Sequence, residues 1–240
     1  MPDASSASPS PSPGLPPGQS PETLEANWRR VVDRSARLPV IAFIASGTFW
    51  LIVGSLLALI ASFKFQFPDW WTSQPWLTFG RVRPAHLNTV IYGWISMAGI
   101  GVATWLWTRL LKTKLRGRFL QLISVGLWNL GMIIGTIGIL AGYSRAIEWV
   151  EMPYAAFAFI VPAMILVVAS FLLTLRERRV NHLFISVWYL GAAMLWGPFL
   201  VIAMLLPIYS GVPEATANWW YAHNILGLWI TPPGLAAAYY

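Results

Sequence analysis

The sequence predicts an all-α polytopic membrane protein, a bundle of six transmembrane helices, and three observations lead to that fold class. First, 57% of the 240 residues are hydrophobic and only 10% are charged, against roughly 25% charged residues in an average soluble domain. Second, long apolar runs recur along the chain. Third, most positive charges are confined to short stretches between those runs. Together these features indicate that lipid surrounds most of the chain.

Six apolar runs are each long enough to cross about 30 Å of hydrocarbon as a helix of about 20 residues. Every backbone N–H and C=O in hydrocarbon must be paired within its own segment, so runs of this length favour helices over the shorter, alternating strands of a barrel. We therefore assign the bundle to residues 38–240. In chain order its predicted spans are approximately residues 38–63, 84–107, 119–143, 152–175, 183–206 and 218–240.

The basic residues predict the orientation of these spans. By the positive-inside rule, the places where Lys and Arg collect are cytoplasmic. They collect before span one, between spans two and three, and between spans four and five, so both termini are predicted to be cytoplasmic. This distribution explains the net charge of +7 without a nucleic-acid partner. Twelve of the sixteen basic residues lie there: Arg29, Arg30, Arg34, Arg37, Arg109, Lys112, Lys114, Arg116, Arg118, Arg176, Arg178 and Arg179.

Residues 1–37 are predicted to lie outside the bundle. Residues 1–24 are rich in Pro and Ser and cannot bury a core, which predicts a disordered cytoplasmic tail, and a short basic lead-in follows. The sequence contains no Cys. A disulfide, a thiolate zinc site and an iron–sulfur cluster held by these residues are therefore excluded, and any bound metal must use His or oxygen ligands.

Two of the three histidines lie inside predicted spans. His86 is about one turn into span two, and His223 comes five residues after Asn218 at the start of span six, so both are predicted at one depth below the outer surface. Neutral imidazole is a common ligand of haem iron and copper, and two at one depth favour a cofactor region spanning the bundle. The alternative is that each imidazole only hydrogen-bonds a neighbouring helix. His182 lies among cytoplasmic basic residues and is assigned no metal.

Four charged residues are predicted to share the outer layer with the histidines. Arg81 and Arg83 precede span two, and Glu148 and Glu151 precede span four. Guanidinium groups suit carboxylates such as haem propionates, and acidic oxygens suit a hard cation such as calcium. The alternative is that all four are solvated interfacial charges.

Two segments in the expected order resemble one known family. The segment Thr78–Trp94, TFGRVRPAHLNTVIYGW, resembles the second helix of cbb(3)-type cytochrome oxidases, where a G-R-x-R-P-x-H pattern carries an axial ligand of the low-spin haem b. The segment Asn218–Tyr240, NWWYAHNILGLWITPPGLAAAYY, is similar to that family's sixth helix, whose W-W-Y-x-H-N pattern supplies a histidine to copper beside the high-spin haem.

Two weaker similarities lie between these segments. EWVE at 148–151 resembles an acidic outer loop of the family that holds calcium near the haem propionates, and Arg178–Gly191 resembles the start of its fifth helix. The resemblance covers roughly residues 40–240. It implies His86 as the haem b ligand and His223 as a copper ligand. It also implies Arg81 and Arg83 at the propionates and Glu148 and Glu151 at calcium, with no catalytic residue here beyond the metal ligands.

The resemblance also implies a function and partners. The complete enzyme would be a terminal respiratory oxidase of the bacterial cytoplasmic membrane that reduces O2 to water with electrons from cytochrome c and pumps protons. Its cofactors would be a low-spin haem b, a high-spin haem and copper, with calcium as a further candidate. Its partners would be the remaining half of subunit I, membrane-anchored c-type cytochrome subunits and cytochrome c.

One departure from the family limits these expectations. The family has about twelve helices, and its other copper and haem ligands lie in the second half, whereas this sequence ends at Tyr240 within span six. We expect a fragment or a split subunit that is completed by another chain and is inactive alone. The alternatives are a relative of nitric oxide reductase, a non-catalytic electron-transfer protein in which His86 and His223 hold one bis-histidine haem, and a remnant without cofactor.

Overall fold

The structure, a computed structural model, describes residues 20–71 and 73–240. Within them the chain forms six long helices, one short 3-10 helix at Pro75–Leu77 and no strand. Each long helix overlaps one predicted span, so the all-α membrane bundle is confirmed. Helices α1 to α5 are long and apolar enough to cross a membrane, whereas a membrane crossing by α6 stays a prediction. The bounds are α1 (Pro21–Gln66), α2 (Phe79–Leu110), α3 (Arg118–Ala141), α4 (Tyr154–Arg176), α5 (Ile185–Leu205) and α6 (residues 212–238).

Helix α1 begins earlier than the sequence predicted. It starts at Pro21, whose fixed φ suits the first helical turn, and the side chain of Ser20 caps it by accepting a hydrogen bond from the Thr23 N–H at 3.3 Å. Residues 21–37, predicted as the end of a tail and a lead-in, are therefore helical. Residues 1–19 lie outside the described residues, so their disorder stays a prediction.

Contacts with the loop after α2 explain why this polar stretch stays helical. The Trp28 indole N–H donates to the Lys112 carbonyl at 3.2 Å. One turn further on, Asp33 accepts two hydrogen bonds from the Arg109 guanidinium, at 2.8 and 2.6 Å. These contacts join α1 to the membrane face that carries most of the basic residues, called here the basic face.

Close helix packing depends on glycine. Helix α1 packs along α2, α3 packs along α4, and α6 lies against α5 and α2. A methyl group added at seven glycines within the helices would lie only 2.1 to 2.9 Å from a neighbouring segment, so a side chain there would force the segments apart. Gly99 and Gly126 face open space instead. The seven tight positions are Gly47, Gly93, Gly101, Gly131, Gly135, Gly138 and Gly197.

Both helices that carry a candidate histidine contain a π-helical segment, which the sequence did not predict. In α2 it spans Thr89–Ile95 and begins three residues after His86. In α6 it spans Ile225–Ile230 and begins two residues after His223. Such segments are rare and often occur at functional sites.

Two prolines follow the π-helical segment of α6. Pro232 and Pro233 lack the backbone N–H that a regular turn needs, which predicts a kink. The structure places the widened turn directly before them. There the Leu226 carbonyl accepts from both the backbone N–H and the hydroxyl of Thr231, the latter at 2.8 Å.

Candidate functional site

His86 is held in one orientation by a contact with α1. It is half-buried, and its Nδ1 lies 2.9 Å from the Gly54 carbonyl oxygen. A carbonyl oxygen only accepts hydrogen bonds, so Nδ1 carries the proton and Nε2 of the neutral ring keeps its lone pair. Metal-bound histidines are typically fixed in this way, with the second ring nitrogen donating to a carbonyl or carboxylate. This hydrogen bond leaves the Nε2 lone pair of His86 for another partner.

Gly54 is the residue that lets α1 come this close to His86. A methyl group on Gly54 would lie 3.0 Å from Thr89 Oγ1 and 3.2 Å from Val90 Cγ2. Such contacts are tighter than normal packing, so a larger residue would push the carbonyl away from the imidazole. The orientation of His86 thus depends on a glycine in a different helix.

His223 lies on the exposed side of α6. Tyr221, Ala222 and Ile225 are buried against the bundle, whereas His223 is exposed together with Trp219 on the same helix. No described residue covers that side. The imidazole is therefore accessible to a ligand or to another polypeptide, and it does not point into the interior of these six helices.

Two hydrogen bonds fix how α6 lies along α2. The hydroxyls of Tyr92 and Tyr221 are hydrogen-bonded to each other, and Tyr92 also donates to the Trp149 carbonyl at 2.9 Å. Further along both helices, the Trp229 indole N–H donates to Ser96 Oγ at 2.8 Å. The two helices run in the same direction, and these contacts join them at two places along their length.

The common depth expected for the two histidines stays a prediction. The contacts that join α2 to α6 are made by long Tyr and Trp side chains, which can bridge helix positions at different heights. Both helices are also π-helical between the histidines and the indole contact, so counting residues gives no single offset between the two rings.

A groove of about 300 Å³ separates parts of α2 and α6 on the inner side of both histidines. Ile95, Gly99, Trp229 and Pro233 contribute to its mainly apolar lining. Because the Ser96 hydroxyl in this groove accepts the hydrogen bond from Trp229, the groove offers few free polar groups. An apolar group of a cofactor fits its chemistry.

Arg81 and Arg83 make different contacts. Arg81 donates from Nη1 to the Leu140 carbonyl at 3.0 Å, and so caps the C-terminal end of α3. A methyl group on Gly142, at φ +98, would lie 2.8 Å from Arg81 Nη2, which keeps this position a glycine. Arg81 still has other N–H donors for a ligand.

Arg83 forms an ion pair with Glu148 at 3.1 Å. Both side chains are substantially exposed, at 46% and 36%, so the pair contributes at most about 1 kcal/mol to stability. Glu148 also exchanges backbone hydrogen bonds with the Asn218 side chain, at 3.2 and 3.0 Å, which joins the loop after α3 to α6. These contacts fit both interpretations of Glu148, as a solvated interfacial charge and as a ligand of a cation.

Glu151 is buried in the same loop. Asn88 donates to Glu151 Oε2 at 2.7 Å, while the Asn88 side-chain oxygen is buried without a partner among the described residues. Burial raises the pKa of Glu151 to about 7, and the hydrogen bond from Asn88 opposes the rise. Within the described residues, no three His, Cys, Asp or Glu side chains converge on one point, so the predicted calcium site stays a prediction.

The raised pKa predicts a pH dependence of stability. A carboxyl whose pKa is about 7 in the folded chain and near 4.5 in the unfolded chain binds more protons when folded. Its stabilising contribution is therefore full below about pH 4.5 and is lost as pH rises to about 7, by up to about 3 kcal/mol. We expect the free energy of unfolding, measured in calcium-free detergent, to fall over this range. The fall should shrink in Glu151→Gln and persist in Glu148→Gln.

Sequence reasoning missed the roles of four residues near the histidines, namely Gly54, Asn88, Tyr92 and Tyr221. Tyr221 stands two positions before His223 in the W-W-Y-x-H-N segment, so its position was visible, but its hydrogen bond to Tyr92 was not. Asn88 and Gly54 carry no individual signal in the sequence. Their roles come from contacts between helices.

The fold and these side chains define a class, a polytopic membrane protein that carries histidines on two of its helices. Residues 38–240 match the model of the family described as Cytochrome C and Quinol oxidase polypeptide I, and the chain belongs to that family. Membership implies haem and copper as the family's cofactors. The chain's donor set fits this chemistry because each of two different helices offers an imidazole.

Several curated proteins are similar to most of the chain. It is 27% identical to the cbb3-type cytochrome c oxidase subunit CcoN1 of Stutzerimonas stutzeri, over 80% of the chain and 42% of that protein. It is also 27% identical to the cytochrome c oxidase subunit 1 homolog of Azorhizobium caulinodans, over 88% of the chain and 43% of that protein. For cytochrome c oxidase subunit 1 of Rhodobacter capsulatus the values are 27%, 83% and 40%. The chain thus spans about two-fifths of the length of these relatives.

Proposed function

We propose that this chain forms part of the catalytic subunit of a cbb(3)-type terminal oxidase, which reduces O2 to water with electrons from cytochrome c and couples the reaction to proton pumping. The observation that carries the proposal is the hydrogen bond from His86 Nδ1 to the Gly54 carbonyl. It leaves Nε2 available for iron at the position where the family motif places the haem b ligand. The similarity to cytochrome c oxidase subunits supports the choice of reaction.

Two histidines of this chain would hold different metals. His86 would be an axial ligand of a low-spin haem b, and His223 would bind copper beside a high-spin haem. When bound, the haems and copper supply the electron transfer and the reduction of O2. His86 keeps a fixed ring orientation through Gly54, and the bond between Tyr92 and Tyr221 holds the two histidine helices together.

The outer charged residues would support the haem. Arg81 has N–H donors left after capping α3, and Arg83 lies in the outer layer in an exposed ion pair, so both guanidinium groups are available to haem propionates. Glu148 and Glu151 would contribute oxygen ligands to calcium. For Glu151 this requires loss of its proton, which bound calcium would favour.

The copper site needs ligands from elsewhere. Within the described residues, His223 has no second histidine beside it, and its side of α6 is uncovered. This supports a partner surface on α6 for the rest of subunit I. Membrane-anchored c-type cytochrome subunits and cytochrome c would complete the electron path, and the basic face would be the cytoplasmic side of a bacterial inner membrane, with the N-terminus on that side.

The geometry disfavours the bis-histidine alternative. One haem bound by both rings requires them on opposite sides of one iron, but His86 bonds to α1, and His223 lies on the exposed side of α6. The nitric oxide reductase alternative has no structural observation in its favour.

Oxygen uptake by the assembled complex tests the proposed function. The chain is co-expressed with its partner subunits, and uptake is measured with reduced cytochrome c as donor. We expect His223→Ala to abolish uptake and to remove copper, measured separately as metal content, because copper loses a ligand. His182→Ala, which changes an exposed histidine on the basic face, should have little effect. Normal uptake and copper content in His223→Ala would contradict the proposal.

A further inference from the structure

An open groove lies on the basic face between the start of α1 and the end of α2. It has a volume of about 410 Å³ and belongs to no part of the candidate cofactor site. The groove residues from α1 follow the spacing of one helical face, with arginines nearest the water and apolar residues towards the membrane. We call it the basic groove, and its main lining residues are Arg30, Arg34, Arg37, Val40, Ile41 and Trp105.

The groove carries an uncompensated positive charge. Its one acidic lining residue, Asp33, is neutralised by the bidentate contact with Arg109. In the part of the chain that the structure describes, Arg30, Arg34 and Arg37 form no ion pair with a carboxylate, and all three are exposed. Three guanidinium groups along about 10 Å of helix form a strong site for an anion.

The same groove continues into an apolar surface. Ile41 is 51% exposed and Ile44, one turn further into the membrane, is 39% exposed. Trp105 forms the opposite wall, with the Arg109 guanidinium 4.9 Å from its ring centre and the Tyr240 ring at 5.4 Å. A ligand here would meet cations at one end and hydrocarbon at the other, with an aromatic ring at the boundary between them.

We propose that the basic groove binds one anionic phospholipid, with its phosphate diester on Arg34 and Arg37 and an acyl chain along Ile41 and Ile44. The combination of charge and depth selects this occupant. A soluble phosphate would use the arginines but leave the apolar floor unused. A neutral phospholipid would use the floor but leave the excess charge unmatched.

Lipid counting on the whole chain tests the proposal. The detergent-solubilised chain is titrated with phosphatidylglycerol or phosphatidylcholine, and bound lipids are counted by native mass spectrometry. We expect one phosphatidylglycerol to bind about tenfold more tightly than phosphatidylcholine. The double variant Arg34→Gln with Arg37→Gln should lose this preference, and Arg34→Lys with Arg37→Lys should retain part of it, because Lys keeps the charge.

A matched variant separates a site from general surface charge. Arg118→Gln with Arg178→Gln removes the same charge from exposed positions on the basic face outside the groove, and it should keep the preference. An equal loss in both double variants would overturn the proposal. So would equal binding of the two lipids, or equally tight binding of glycerophosphoglycerol, which has the headgroup without the chains. Unchanged lipid binding in the groove variant would also overturn it and would favour an acidic protein partner there.

Discussion

Replacing His86 with alanine is expected to remove the low-spin haem b signal from the complex that contains this chain. The contact with α1 holds the His86 ring in a defined tautomer, with Nδ1 bonded to Gly54 and Nε2 left with its lone pair. Without the imidazole the iron would lose an axial ligand. The nearby Thr89 hydroxyl does not replace it, because it donates to the Ala85 and His86 carbonyls. Optical spectra of the reduced complex and extracted haem content measure the loss.

Two further variants make this result specific. His182→Ala changes an exposed histidine and should leave the haem spectrum intact. Gly54→Val should weaken haem binding without removing the ligand, by about 10- to 100-fold, as expected when the partner of a ligand histidine is displaced. A full low-spin signal in His86→Ala would show that the haem is held elsewhere.

Gly93→Ala is expected to lower the stability of the bundle by about 1 to 3 kcal/mol or more. The added methyl would lie 2.6 Å from Trp50 Cβ and 2.7 Å from its Cγ. Trp50 is buried and cannot move freely, because its indole N–H donates to the Asn129 side chain at 2.9 Å. Moving it would also weaken this hydrogen bond, at a cost of about 1 kcal/mol. Unfolding by sodium dodecyl sulfate, followed by far-UV circular dichroism, measures the change.

Gly99→Ala is the matched control for this prediction. It makes the same substitution in the same helix, but a methyl there meets nothing within 4 Å. Its effect should be neutral or slightly stabilising, since alanine favours helix over glycine by up to about 1 kcal/mol. Equal destabilisation in the two variants would show that close packing at Gly93 is not the cause.

Much of the fold could be predicted from sequence because membrane helices are encoded locally. Each span needs its own apolar run, so the runs at 38–63 and 119–143 located α1 and α3 without knowledge of their neighbours. The early start of α1 could not be predicted in this way. It depends on polar contacts such as Trp28 with Lys112, between residues far apart in the chain.

The candidate site was predicted only in part for a related reason. The two motifs identified His86 and His223 as the residues to consider, and their metal assignments stay predictions. Their relative depth also stays a prediction, because it depends on where the helices begin and on contacts such as Trp229 with Ser96. The tautomer of His86 depends on a carbonyl in another helix, which no local pattern reveals.

The central claim is that the two histidines serve different metals, and the most direct measurement is the content of copper and low-spin haem in the complex carrying His223→Ala. Because His86 bonds to α1 and His223 lies on the exposed side of α6, the account predicts that copper is lost while the low-spin haem spectrum remains. If the His223→Ala complex instead loses the low-spin haem and keeps its copper, the account is contradicted, and both histidines hold one haem.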